Sequence, residues 1–298
     1  MHEFLKTVGC GDIRTEKELE PFLRMTIEDP DFKLRDDGPT GEIDDNFVEW
    51  KKEFGERIGL AVCGSYTDEY EEKYRIDYYY PYFRGEISTT EEPVEVEKHS
   101  DKEAYSVICD DYRLGVTLIY FLLNIIDYKC SKAYPSGKVP ECYSILAGLA
   151  MEGKVLLPVS DKDRNKKLQQ KNFERRTTLL TAAKEGDEEA IETLTMEDID
   201  TYSSISKRVD HEDILSIVDT CIMPYGIESD HYEVIGEILG IEQTENFVSK
   251  DIIYILTIQA KDIIFDICIN KKDLLGEPAV GRRFKGIIWM QGELQPME

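Results

Sequence analysis

No two cysteines in this chain have the C-x-x-C spacing that opens a zinc ribbon or a dithiol redox motif, although seven are present. An odd number without a spacing pattern argues against a disulfide framework. Cys10, Cys63, Cys109, Cys130, Cys142, Cys221 and Cys268 sit mostly in apolar runs and read as reduced thiols used as small hydrophobes. The G-x-x-x-x-G-K-[ST] phosphate loop is missing, as are G-x-G-x-x-G, H-E-x-x-H and G-x-S-x-G. Gly9-Cys10-Gly11 begins a dinucleotide pattern, which Arg14 breaks where the last glycine belongs. Histidine is scarce: His2, His99, His211 and His231 lie far apart, so no spacing predicts a metal site, although one can still assemble in space. The longest apolar run, Gly115–Ile126, is too short for a membrane helix, which takes about 20 residues. Met1–Lys6 carries no secretory pattern, and the expectation is a cytosolic protein without a membrane partner.

Positive charge is also in short supply. Lys and Arg number 36 against 61 Asp and Glu, for a formal net charge of −25. Residues 1–160, 161–223 and 224–298 carry −14, −5 and −6, so the acidity is not a tail. Such a surface repels phosphate backbones and anionic membranes, which disfavours nucleic acid. It leaves a basic partner, a cation or solubility alone as its use.

What is present is patterned mainly as strands. Thr15 and Glu18 form a capping box before a short helix that contains Pro21. Residues 28–46 read as an acidic loop. Ile58–Cys63 and Tyr74–Tyr80 read as strands, and Glu86–Asp101 as a charged loop or edge strand. Tyr105–Cys109 and Leu114–Leu123 flank a turn at Asp110–Arg113; the second of these also fits a buried helix. Ser144–Ala150 and Lys154–Val159 flank Met151-Glu152-Gly153, the pattern of a hairpin with glycine at the left-handed position.

From residue 161 to 222 the texture is helical. Gly186 ends one helix and Asp187 caps the next, which carries Ala190, Ile191 and Leu194; Asp210 caps a third, which Pro224 stops. The tail returns to strands at Tyr232–Ile241, Ile252–Ile258, Ile263–Ile269 and Arg282–Gly292, with a turn at Gln259–Asp262. Four such strands imply a small antiparallel sheet or incomplete barrel. The fold class is α+β: a β-rich domain over 1–160, a helical connector over 161–223 and a small antiparallel β-module over 224–298.

Few residues offer chemistry. Asp161-x-Asp163-x-Asn165 starts like a calcium loop, but Lys166 and Asn172 stand where glycine and glutamate are required. Asp31 with Glu71, Glu72 and Lys73 fits a metal-dependent nuclease pattern only as chance allows in so charged a chain. Asp161–Arg176 carries a local +4, and Glu185–Asp200 has eight acids and no base. Two solvated helix faces that attract each other explain this, as does docking of a charged partner or a second copy.

Tyr78, Tyr80 and Tyr82 share one strand face if the strand runs through Pro81, which confines it to an edge or a bulge. They are candidate binding residues, as are Arg282, Arg283 and Lys285, the tail's tight basic cluster. Each group also has a bland use, as core aromatics and as a solvated face.

Three stretches resemble a known family: Met1–Gly9, Ala182–Thr195 and Leu274–Gly286. With the length, they are similar to a family of clostridial cytosolic proteins catalogued as domain of unknown function 3881. The resemblance spans the chain and implies a bacterial source. It brings no activity, cofactor or catalytic residue. Ala182–Leu194 also looks like an ankyrin helix pair, but no second copy follows at the 33-residue period.

The functional expectation is a non-catalytic binding or protein-interaction module, with a protein partner or self-association and no cofactor. One alternative is a hydrolase whose carboxylates come from distant segments, with Asp110 and Asp111 as the place to look. The other is a nucleic-acid binder.

Overall fold

A computed structural model describes residues 2–35, 47–68, 73–111, 113–130, 138–139, 141–158, 175, 178–179, 181–183, 186–209 and 219–296. It is β-rich within the α+β class, with 52% strand and 20% helix. The chain forms two compact units, Met1–Leu156 with Cys221–Glu298, and Leu157–Thr220.

The first unit opens with a 3-10 helix η1 (Glu3–Val8) and helix α1 (Glu16–Glu28). The capping box forms: Thr15 Oγ1 accepts from the Glu18 N–H at 3.3 Å, and Glu18 Oε2 accepts from the Thr15 N–H at 3.0 Å. Strands β1 (Phe32–Arg35), β2 (Phe47–Gly55), β3 (Ile58–Asp68) and β4 (Lys73–Phe83) make an antiparallel sheet in that order. One face, with Val48, Trp50 and Val62, packs under Leu23 and Ile27 of α1. Alternation turns Glu49, Lys51, Cys63, Tyr78 and Tyr80 to the other face.

The second sheet draws on β5 (Ser88–Thr90), β6 (Val94–Lys98), β7 (Tyr105–Cys109) and β8 (Leu118–Leu122). Helix α2 (Ile125–Cys130), β9 (Lys138–Val139) and the long β10 (Cys142–Leu156) follow. After the helical insertion come β11 (Cys221–Pro224), β12 (His231–Glu245), β13 (Ile252–Ala260), β14 (Ile263–Asn270), β15 (Leu274–Leu275) and β16 (Arg283–Pro296). The 3-10 turn η2 (Lys271–Asp273) precedes β15.

The pairings β12–β13, β13–β14, β14–β10, β10–β16 and β16–β12 return to their start. Four C-terminal strands thus close on themselves only by taking β10 from before the insertion. The β10–β14 pair is parallel. The segment that also fitted a buried helix is the strand β8.

Two expectations are overturned. The helical texture read to residue 222 ends before Cys221, which opens strand β11. Residues 144–156 do not form a hairpin. Cys142–Leu156 is a single strand, paired with β16 from Cys142↔Pro296 to Leu156↔Arg283, with a bulge between Ala150 and Glu152. Because both halves find their partner on one long strand, the chain has no reason to reverse. Gly153 serves close packing: a Cβ there would stand 2.4 Å from Phe284 Cε2.

Buried polar contacts join the small sheet to the barrel. The Gln291 side chain, fully buried, donates from Nε2 to the Pro81 carbonyl at 2.9 Å and accepts from the Phe83 N–H at 3.1 Å. Arg57, at the β2–β3 turn with φ +64, donates to Asp266 Oδ2 at 2.9 Å, and both are buried.

In the second unit, Asp187 Oδ1 accepts from the Glu189 and Ala190 N–H groups and caps helix α3 (Glu188–Val209). Ala190 and Leu194 are buried while Ile191 is exposed. Arg175, from the basic run, meets Glu197 of the acidic run at 2.6 Å. The calcium-like loop, Glu71, Glu72 and residues 210–218 of the helix expected after Asp210 lie outside the described residues; Cys221–Pro224, expected to end that helix, is instead strand β11, paired antiparallel with β12. Among the described residues, no helix is long and apolar enough to cross a membrane. Six free cysteines are described, and all but Cys221 are buried.

Candidate functional site

Strand β4 continues through Pro81 because it is the edge of the four-stranded sheet, where a missing N–H breaks no ladder. Tyr78, Tyr80 and Tyr82 therefore share a face, opposite Cys63, Ala61 and Gly59. Gly59 lets the Tyr82 ring lie on the sheet; a Cβ there would stand 2.7 Å from it. Tyr80 and Tyr82 are buried and Tyr78 is half-buried. Tyr78 and Tyr80 line a cleft of about 420 Å³.

That cleft brings together three of the four histidines: His2 before η1, His99 after β6, and His231 at the start of β12. Aromatic rings form its floor. Trp289 of β16 has the His2 ring at 4.7 Å, Phe4 at 5.5 Å and Phe121 at 5.4 Å, centroid to centroid. Phe121 meets Tyr80 edge-on at 4.8 Å, and Phe4 meets His231 at 5.2 Å. Such spacings suit tilted and edge-to-face pairs. Strand pairing explains the convergence: β12 and β16 run antiparallel with His231 opposite Trp289.

The polar atoms around this floor are unevenly satisfied. Trp289 Nε1 donates to Asp230 Oδ2 at 2.7 Å. His99 Nε2 lies 2.8 Å from Ser106 Oγ, which fixes the ring. The His2 backbone N–H donates to Tyr79 Oη at 3.1 Å, while its Nδ1 is buried with no hydrogen-bond partner among the described residues. Burial, with the Lys102 charge and His231 nearby, lowers His2 to about 4. Burial and Lys102 lower His99 as well. His2 is therefore an uncharged imidazole at neutral pH.

Beneath the floor lies a buried polar network. The Tyr80 hydroxyl donates to Glu49 Oε1, and Lys51 Nζ stands 3.0 Å from Glu49 Oε2 and donates to the Leu123 carbonyl at 2.7 Å. Cys63 Sγ is 3.8 Å from Glu49 Oε1. Burial, reinforced by Glu49, pushes the Cys63 thiol and the Tyr80 phenol far up, so both stay protonated. The thiol is no nucleophile there. The network holds Tyr80 in place under the cleft.

A second, larger cleft of about 870 Å³ lies between α1 and β4 and shares His2, Tyr78 and Tyr79 with the first. Among the described residues, no group of three or more His, Cys, Asp or Glu is arranged to hold a metal ion.

The other residues singled out from sequence lie elsewhere. Arg283 is buried, Lys285 pairs with Glu233 at 2.8 Å, and Arg282 donates to the Glu277 carbonyl at 2.9 Å. Asp111 is buried and gripped by Arg113, which holds its carboxyl below the usual range against the cost of burial. Asp110 accepts from Thr117 Oγ1. Neither pair lines either cleft. Sequence spacing does not group His2, His99, Asp230, His231 and Trp289, because long stretches of chain separate positions 2, 99, 230–231 and 289.

A family model matches residues 5–292, and its description reads "Domain of unknown function, E. rectale Gene description (DUF3881)". No curated protein and no solved structure matches the chain.

Proposed function

We propose that this chain, which belongs to the DUF3881 family, is a non-catalytic binding protein of the bacterial cytoplasm whose ligand sits in the His2–His99–His231 cleft. The observation that carries the reading is the convergence of three scarce histidines on one aromatic floor. A cleft of about 420 Å³ is in the range of sites that take small molecules or a projecting side chain. The ligand is either free or part of a protein partner.

The chemistry of the walls favours holding over reacting. A general base works best with its pKa near the working pH, and His2 lies well below it, at about 4. The Asp110 and Asp111 carboxylates are each engaged by a neighbour and stand apart from the cleft. Glu293, whose carboxyl burial pushes up, lines neither cleft. For the nucleic-acid alternative, Arg283 is buried and Lys285 is paired, which weakens the tail's basic cluster as a phosphate contact.

The test uses the two tryptophans. Trp50 is buried under α1, so Trp50→Phe leaves Trp289 as the reporter of the cleft. A metabolite and peptide screen should find ligands that both raise Tm and change Trp289 fluorescence, and that are recovered unaltered by mass spectrometry. Stabilising ligands that leave Trp289 silent would remove the cleft as the site. A ligand returned chemically changed would make the protein an enzyme.

A further inference from the structure

We infer that the histidine cleft is a receptor for a guanidinium group, carried by a free small molecule or by an arginine side chain. The inference rests on the cleft being the ligand site and adds the ligand's chemistry. Its carriers are unmatched acceptors. Among the described residues, three carboxylates line the cleft, Glu3, Glu228 and Asp230, against one cationic side chain, Lys102. Lys102 is already placed, with Nζ 5.3 Å from the centre of the Tyr78 ring.

Asp230 spends only one oxygen on Trp289. Its Oδ1 is 4.0 Å from His231 Nε2, beyond hydrogen-bond range. His2 Nδ1 is a buried nitrogen without a hydrogen-bond partner among the described residues. In an uncharged imidazole one ring nitrogen is an acceptor. A donor-rich cation answers all of these at once. Its planar face can also lie against the aromatic walls, where cations are attracted to the ring faces. Guanidinium suits the site better than ammonium because it is planar, has five donors in a fixed fork, and pairs bidentately with carboxylates. An anion would meet a three-to-one excess of negative charge here.

The experiment titrates full-length Trp50→Phe protein with agmatine, and separately with the capped tripeptide Ala-Arg-Ala. Lysine amide, glutamate and indole serve as comparison ligands. The expected result is a saturable Trp289 fluorescence change with a guanidinium ligand, at least about tenfold tighter than with lysine amide. Asp230→Asn keeps an acceptor for Trp289 Nε1 but removes the charge. It should weaken binding about tenfold or more, as loss of a charge-assisted hydrogen bond does. Glu228→Gln, at an exposed position, is the second variant and should weaken it about threefold.

Preference for agmatine over the tripeptide would assign a free ligand, and the reverse an arginine on a partner. Guanidinium binding unaffected by both variants would overturn the inference. So would the absence of saturable binding at millimolar concentrations. If glutamate or indole binds through Trp289 while guanidinium does not, the cation is wrong and the cleft stands. If no ligand perturbs Trp289, the cleft itself falls as the site.

Discussion

Trp289 Nε1 donates a 2.7 Å hydrogen bond to Asp230 Oδ2, so the one tryptophan in the cleft is held by one of the cleft's own carboxylates. The ring is nearly inaccessible, with 5% of its surface exposed, so this N–H has no ready access to water. Floor and wall are one unit. A change at Asp230 acts on ring position as well as on charge.

Asp230→Ala therefore leaves a buried indole N–H unpaired and should cost about 1–3 kcal/mol. Asp230→Asn retains an acceptor and should cost less than half as much. Urea unfolding of the two variants checks this. Equal losses would mean that the hydrogen bond contributes nothing beyond the carboxylate charge.

Gln291→Leu should destabilise the protein by about 2–6 kcal/mol. It removes the partner of two buried backbone groups, the Pro81 carbonyl and the Phe83 N–H, and each unpaired group costs about 1–3 kcal/mol. Hydrogen exchange should show the Phe83 amide losing protection before the amides of β13. Unchanged protection at Phe83 would mean that the β4 edge is held by other contacts.

Asp266→Ala should cost about 3 kcal/mol, because it strands Arg57 in a buried position. Arg57 keeps Glu86 at 3.1 Å and Glu242 at 3.6 Å, both exposed, which places the loss at the low end for a broken buried pair. Thr257 Oγ1, 2.8 Å from Asp266 Oδ1, loses its acceptor too. A variant as stable as the parent in a denaturant titration would show that the pair only balances its own desolvation.

Acid should act through two groups in separate windows. Burial lowers His2 from 6.5 to about 4, so between these values the unfolded chain binds the extra proton. The stability from neutral His2 is complete above pH 6.5 and is lost as pH falls towards 4, by about 3 kcal/mol. Glu103 is lowered from 4.5 to about 2: burial opposes this, but hydrogen bonds from Lys98, Tyr105 and Lys129 outweigh it. Its contribution is present above 4.5 and is lost as pH falls towards 2. Unfolding free energies for His2→Gln from pH 7 to 3 should flatten in the first window and not the second. An unaltered slope between 6.5 and 4 would show that His2 titrates normally.

Close packing at Gly153 also tests the unbroken course of β10 from Cys142 to Leu156. Gly153→Ala should cost about 1–3 kcal/mol through the Phe284 ring. The companion Phe284→Leu should lessen that cost, because the clash is with the ring. Additive losses in the double variant would indicate strain in the backbone of β10.

Local patterns in the sequence were enough for the elements that depend on near neighbours. The Thr15–Glu18 capping box, Asp187 at the start of α3 and the alternation in β12, β13 and β14 act within a few residues. Pro81 left an edge or a bulge for β4, because a residue without an N–H is excluded from a central ladder, and the edge is the one the sheet uses. The α+β class and, among the described residues, the unpaired cysteines followed from composition and spacing. Family membership was visible in three short stretches.

Tertiary structure alone decided the rest, since it depends on partners far along the chain. A glycine preceded by Met151-Glu152 reads as a turn until β16 supplies a partner for both halves of β10. Ring closure required β10 to pair with β14 and β16, from the far side of the helical insertion. The cleft is the clearest case. His2, His99 and His231 have no common spacing, and only the docking of η1, β6, β12 and β16 brings them to one floor. Sequence periodicity reports which face of a strand is buried. It does not report which strand comes to lie opposite, and that pairing placed the imidazoles around Trp289.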